Sequence, residues 1–319
     1  MNPRNALLAA LAAQIGLAVL TWWPSEVDVV EPKPLVESAN AVTALTVVGK
    51  GPEKVPVELV SEEGRWKVAS ASGYPADPEK VATVLEALAG VQLRAPIATT
   101  AASHEALGVT DGGFERKVTL TTAAGATTVL VGPSASQAVH LRLAEGDAVW
   151  QVRGLSAWTL KDDAKGYLPT NHVSFEPSQV TSFQIANARG TLSLTRTSEG
   201  TEGAAATWQI DGATPTPIDA AAVTPLLEKA AKVRLGDVVG TVVETGHGLL
   251  ADAAVPPTRV TWTAVDGEQT LAGGYVIGAE LDGKYFVKSD DSPFVIRTPT
   301  YRTKDLVDLD PSTVGAPAP

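Results

Sequence analysis

The stretch GRWKVAS (64–70), followed by DPEKVATVLEALAGVQLR (77–94), decides how this chain is read, because it comes back as ATWQIDG (206–212) followed by DAAAVTPLLEKAAKVRL (219–235). Trp66 and Trp208 lie 142 positions apart, and the same spacing joins Asp77 to Asp219, Leu85 to Leu227, Val91 to Val233 and Val118 to Val260. One shift relating so many positions points to a duplicated module. The spacing drifts from 138 at Leu45 and Phe183 to 145 at Leu141 and Phe286. Loops absorb such insertions at little cost, whereas strand register does not.

Each copy carries one clear helix. Asp77 suits an N-cap and Pro78 the first helical position, after which Val81, Val84, Leu85 and Leu88 fall at i, i+3, i+4 and i+7, and Gly90 supplies a stop. Val223, Leu226, Leu227 and Ala230 repeat the stripe, but Pro225 predicts a helix that starts late, near Thr224, or kinks. Around the helices the pattern has period two. Thr43, Leu45 and Val47 alternate on one face of an opening strand, Thr181, Phe183 and Ile185 do so in the second copy, and further strands are expected at 55–60, 65–69, 117–122, 127–131, 140–144 and 148–152. Trp66, Val81, Leu85, Trp208, Val223 and Leu227 are the expected repeat core. Trp150, Trp158 and Trp262 are also read as packing residues rather than a sugar-binding set. After each sheet comes a coda, Trp158-x-x-Lys161-Asp162 and Tyr301-x-x-Lys304-Asp305.

The fold class expected is therefore α+β: two tandem homologous modules, each a mostly antiparallel β-sheet with one main packed helix, behind one N-terminal transmembrane helix. The boundaries expected are an anchor at 1–23, an extended linker at 24–41, modules at 42–170 and 171–310, and a disordered tail at 311–319. The anchor reading rests on Ala6 to Trp23, where Gln14 and Thr21 are the only polar side chains. These residues as a helix span roughly 27 Å, about the thickness of a bilayer core. Leu7, Leu11, Ile15, Leu17 and Leu20 supply the apolar surface, Trp22 and Trp23 an interfacial belt, and Arg4 on one side with acidic residues on the other sets the N-terminus inside. A cleaved secretory signal is the rival, with Ala39-Asn40-Ala41 as its site, but that site stands far from the apolar segment. Both readings imply export, with the bulk of the chain outside the cytoplasm.

A net charge of −11 opposes a phosphate backbone, so nucleic-acid binding is not expected. The absence of cysteine excludes disulfides, thiolate metal sites and a cysteine nucleophile. No catalytic, cofactor-binding or metal-binding residue is assigned. Gly278 to Tyr285 has phosphate-loop spacing, but Tyr285 stands where Ser or Thr would hold magnesium, and Asp282-Gly283 reads as a tight hairpin turn. His104, His140, His172 and His247 are scattered and read as polar surface-loop residues. Ser134 and Ser136 look like turn residues, and Asp162-Asp163 and Asp290-Asp291 like exposed carboxylates.

The order of these features resembles the bacterial family named domain of unknown function 4340: a membrane segment, a Trp-containing strand, the DPEKV helix at 77–81, Leu107-Gly108-Val109, a strand pair ending in Val131-Gly132, the strand Val149-Trp150-Gln151-Val152 and the coda. Members are often encoded beside ABC-type export permeases, including those linked to gliding motility. The resemblance thus implies a membrane-anchored periplasmic accessory or scaffold protein of an ABC-type transporter or other cell-envelope complex, working by protein–protein interaction and not as an enzyme. It transfers no catalytic residue. The alternative expectation is a periplasmic binding module that holds cell-wall glycan, lipid or a small ligand in the cleft between modules.

Overall fold

A computed structural model describes residue 14 and residues 31–314, apart from 136, 199–205 and 213. The expected anchor residues Leu7, Leu11, Ile15, Leu17, Leu20, Trp22 and Trp23 lie outside the described residues, as does the end of the tail from Gly315 to Pro319. Among the described residues no helix is long and apolar enough to cross a membrane. The fold is α+β, built mostly of antiparallel sheets with a few helices.

The first half contains β1 (Lys33–Pro34), β2 (Val42–Gly49), β3 (Val57–Glu62), β4 (Arg65–Val68), β5 (Tyr74–Pro75), α1 (Pro78–Ala89) and β6 (Gln92–Leu93). It continues with the short α2 (His104–Leu107), β7 (Arg116–Thr122), β8 (Gly125–Ala135), β9 (Ala138–Leu143) and β10 (Val149–Arg153). Eight of these strands form one sheet in the order β5-β4-β3-β2-β7-β8-β9-β10. The second half contains β11 (Asn171–Ser174), β12 (Val180–Asn187), β13 (Gly190–Ser198), β14 (Thr207–Ile210), β15 (Thr216–Asp219), α3 (Ala220–Ala230), β16 (Lys232–Arg234) and β17 (Asp237–Gly240). It closes with β18 (Thr258–Asp266), β19 (Gln269–Leu281), β20 (Lys284–Ser289), β21 (Val295–Pro299) and α4 (Thr300–Val307). Its sheet runs β15-β14-β13-β12-β18-β19-β20-β21-β17, and the pairs β1·β6 and β11·β16 stand apart in their respective halves.

Tight turns join the hairpins. At Glu63-Gly64 and at Asp282-Gly283 both central residues have positive φ, which the twist of a two-residue hairpin loop demands and which glycine meets without a Cβ clash. The opening strands share an irregularity. Register shifts between Val42 and Ala44 where β2 meets β7, and between Val180 and Ser182 where β12 meets β18. Thr43 and Thr181 hydroxyls then donate to the carbonyls of Thr121 and Thr263, each at 3.3 Å. Such a bulge turns one residue over, so the face expected from Thr43, Leu45 and Val47 is corrected: Val42, Leu45 and Val47 are buried and Thr43 is exposed.

Helix α1 buries Val81, Val84, Leu85 and Leu88, and Asp77 accepts from the amides of Glu79 and Lys80 at 3.1 and 3.3 Å. Helix α3 starts earlier than Pro225 suggests. It begins at Ala220, capped by Asp219 through the Ala221 amide at 2.9 Å, and buries Val223, Leu226, Leu227 and Ala230. Pro225 cannot donate to the Ala221 carbonyl, but both residues face water, which can take the vacant acceptor.

Two expected spans are shorter than the sequence suggests. Residues 31–41 are no free spacer: Lys33 and Pro34 pair with Leu93 and Gln92, the Leu35 amide donates to the Val91 carbonyl at 3.1 Å, and Val36 is buried. The tail is ordered as far as Pro311–Thr313, a short 3₁₀ turn held by Asp310, which accepts from the Ser312 amide at 3.0 Å.

Candidate functional site

The four histidines are not surface residues of loops. His104 is 7 % exposed with Nε2 2.9 Å from the Asp147 carbonyl, and His140 Nδ1 lies 3.2 Å from the Leu107 carbonyl. His247 is 6 % exposed and stacks on Phe286 at 4.5 Å between ring centroids. His172 sits between the halves, with Nδ1 2.7 Å from the Tyr74 hydroxyl. Sequence spacing could not show this, because each ring is enclosed by strands distant along the chain. Among the described residues no cluster of His, Asp and Glu could hold a metal ion.

The carboxylate pairs separate in role. Asp162 is half-buried and meets Arg116 at 3.2 Å and Lys54 at 3.1 Å. Burial pushes its carboxyl up, but the Lys54 hydrogen bond and the Arg116 charge outweigh this and hold it below the usual carboxylate range. Asp163 caps a turn through the Lys165 amide, Asp290 pairs with Arg259, and Asp291 accepts from the Ser289 hydroxyl. Ser134 lies within β8 rather than in a turn, and Ser136 is outside the described residues. The Gly278 segment is the β19–β20 hairpin. A Cβ at Gly278 would meet the His247 carbonyl at 2.2 Å, and one at Gly132 would meet the Leu107 carbonyl at 2.6 Å, so close backbone approach explains both glycines.

The junction between the halves is packed. Tyr74 reaches His172 and packs at a tilt against Phe294, with 4.8 Å between ring centroids. Burial pushes the Tyr74 hydroxyl up to about 12, aided by Asp291, so it stays a donor. Burial also pulls His172 down to about 4 against the opposing charge of Asp291, so its ring is neutral. Nearby, Asp237 gathers Lys165 from the first half at 3.0 Å, Arg297 at 3.0 Å and Lys284. Burial opposes its charge, but the hydrogen bonds from Lys284 and Lys165 hold its carboxyl down at about 2.

Of the expected core tryptophans, Trp208 is buried at 4 % exposure, Trp66 is half-buried against the core, Trp150 donates to the Arg94 carbonyl at 3.0 Å, and Trp262 stacks on Phe175. Val81, Leu85, Val223 and Leu227 are buried. Trp158 is not a packing residue: it is 81 % exposed, with Lys161 Nζ 5.7 Å above its ring. Tyr301, its counterpart in the second coda, is 69 % exposed, with Arg302 5.1 Å from its ring. Two positions further on, Leu160 and Thr303 turn fully inward. The repeated aromatic was visible in the sequence; its exposure was not.

The best-formed apolar hollows lie in the second half, on either side of the turn from Glu244 to Gly248. One, of about 470 Å³, is lined by Val255, Pro256, Pro257, Ile277, Tyr285 and neighbouring small residues. The other, of about 490 Å³, is lined by Val238, Val239, His247, Leu281, Phe286 and Arg297. Gly246 and Glu280 border both. Nothing in the spacing of these residues marks them, because several separate segments converge only through the sheet.

No curated protein matches this chain. Residues 66–207, somewhat under half of the chain, match the family described as Domain of unknown function (DUF4340). That stretch runs from the Trp66 strand through α1 and the first sheet into β14, and over it the chain is similar to the DUF4340 family.

Proposed function

We propose that this chain is a membrane-anchored periplasmic accessory or scaffold protein, built as two tandem homologous modules, that docks an ABC-type transporter permease or another cell-envelope protein. The observation that carries the reading is the coda. Both halves hold a large aromatic in water at the matched position, Trp158 and Tyr301, two positions before a residue turned into the core. An aromatic so placed adds nothing to packing but offers a rigid, amphipathic contact of the kind that dominates protein interfaces. The common strand order of the two sheets and the shared bulge at Thr43 and Thr181 support duplication. The apolar run from Ala6 to Trp23 supports the anchor.

Photo-crosslinking in intact cells, with the crosslinker at position 158 or 301, tests the reading. Capture of the same membrane-protein partner from both positions is expected. Recovery of the chain as a soluble protein crosslinked to nothing from either position would overturn it.

A further inference from the structure

We infer that the two hollows flanking Glu244–Gly248 form a docking groove for an extended peptide segment that presents a basic residue beside apolar ones. The inference rests on the docking reading above and names the chemistry of the partner segment.

Three features select this occupant. The first is apolar surface left in water: Val255 is 72 % exposed at the lip of one hollow, and Leu281 is exposed at the lip of the other. Covering such surface favours association. The second is uncompensated charge. Glu244, Asp252 and Glu280 border the hollows, and none forms an ion pair among the described residues. The nearby cations Lys284 and Arg297 are both committed to Asp237. Glu280 stands where the hollows meet, positioned by the Gly283 amide at 2.8 Å, so a cation seated between them gains its field.

The third feature is a fixed donor. The Glu244 amide donates to Nδ1 of His247 at 3.1 Å, so the neutral ring carries its proton on Nε2, which has no hydrogen-bond partner among the described residues. His247 is held by its stack on Phe286 and lines the second hollow. A main-chain carbonyl fits that donor. An anionic lipid headgroup would face three carboxylates without a free counter-charge, and a small cation would leave the apolar lips bare. A peptide can place an apolar side chain against Val255 and Pro257, a basic group at Glu280 and a carbonyl at Nε2.

Fluorescence anisotropy with the purified full-length chain tests this, using labelled Gly-Leu-Arg-Leu-Gly and its Leu-Glu-Leu and Ala-Arg-Ala counterparts. The Leu-Arg-Leu peptide is expected to bind saturably and at least about ten-fold more tightly than the other two. Glu280→Lys and Val255→Asp, both at exposed positions, are each expected to weaken it about ten-fold with an unchanged melting temperature. Equal binding of the three peptides, no saturation by Leu-Arg-Leu, or binding indifferent to both substitutions would overturn the groove. Crosslinking from positions 158 and 301 reports separately: partner capture that persists while the peptide fails to bind sinks the groove alone, whereas loss of capture in the unmodified chain sinks the docking reading.

Discussion

The hydroxyl of Tyr74, in an edge strand of the first sheet, shares a hydrogen bond with Nδ1 of His172, in the strand that opens the second half, at 2.7 Å. This bond holds a buried ring and ties two parts of the chain that no local pattern connects. Because His172 is pulled down to about 4 chiefly by burial, folding is linked to its titration. The unfolded ring titrates near 6.5, so between about 6.5 and 4 the unfolded state binds more protons and stability falls as pH falls. The loss amounts to on the order of 3 kcal/mol by pH 4. Urea unfolding at pH 7 and pH 4.5 should show this fall in the wild type and a much shallower one in His172→Gln. Tyr74→Phe should cost about 1–3 kcal/mol at pH 7, because it leaves the buried Nδ1 without its hydrogen-bond partner.

Asp237 is the single carboxylate among Lys165, Lys284 and Arg297. Asp237→Asn leaves three like charges without their counter-ion and should lower stability by about 1–2 kcal/mol at low salt. The gap between wild type and variant should narrow in about 1 M NaCl, where the Debye length is roughly 3 Å. Thermal melting across a salt series checks both parts. The sign with pH is opposite in origin to that of His172 but the same in direction: a carboxyl held at about 2 contributes above its unfolded pKa and loses that contribution as pH drops toward 2.

Thr303 occupies the inward position that Leu160 fills in the first coda, yet its hydroxyl is buried with no hydrogen-bond partner among the described residues. Thr303→Val keeps the shape and removes the unsatisfied group, so it should raise stability by about 1 kcal/mol or more. A higher urea midpoint at unchanged slope is the expected signature.

Pro225 lies inside α3 without terminating it. Replacing it with Ala restores an amide that can reach the Ala221 carbonyl, and the variant should be more stable by about 1–3 kcal/mol. Asp219→Ala, which removes the cap at the same helix, should cost about 1 kcal/mol. Opposite shifts in melting temperature for the two variants, read by circular dichroism, check the pair.

Local chemistry alone accounts for much of this architecture. The helix at 78–89 follows from an Asp-Pro start and one apolar stripe, and the hairpin at Asp282-Gly283 from the positive φ its turn requires. These features depend on neighbours within a few residues, so spacing reports them directly. The bulges at Thr43 and Thr181 depend on a partner strand some eighty residues away, and there the alternation misplaced one residue in each strand.

The 142-residue spacing that joins Trp66 to Trp208 and Asp77 to Asp219, the helix caps and the apolar stretch before Pro24 are properties of the chain order and needed no coordinates. Burial of His104 and His247, the pairing of Lys33 and Pro34 with the strand after α1, and the exposure of Trp158 were settled only when distant strands closed around or turned away from them. Solvent access is a sum over neighbours from the whole fold, whereas backbone preference is set by the residue and those beside it. The groove at Glu280 belongs to the first kind: several segments make it, and none announces it alone.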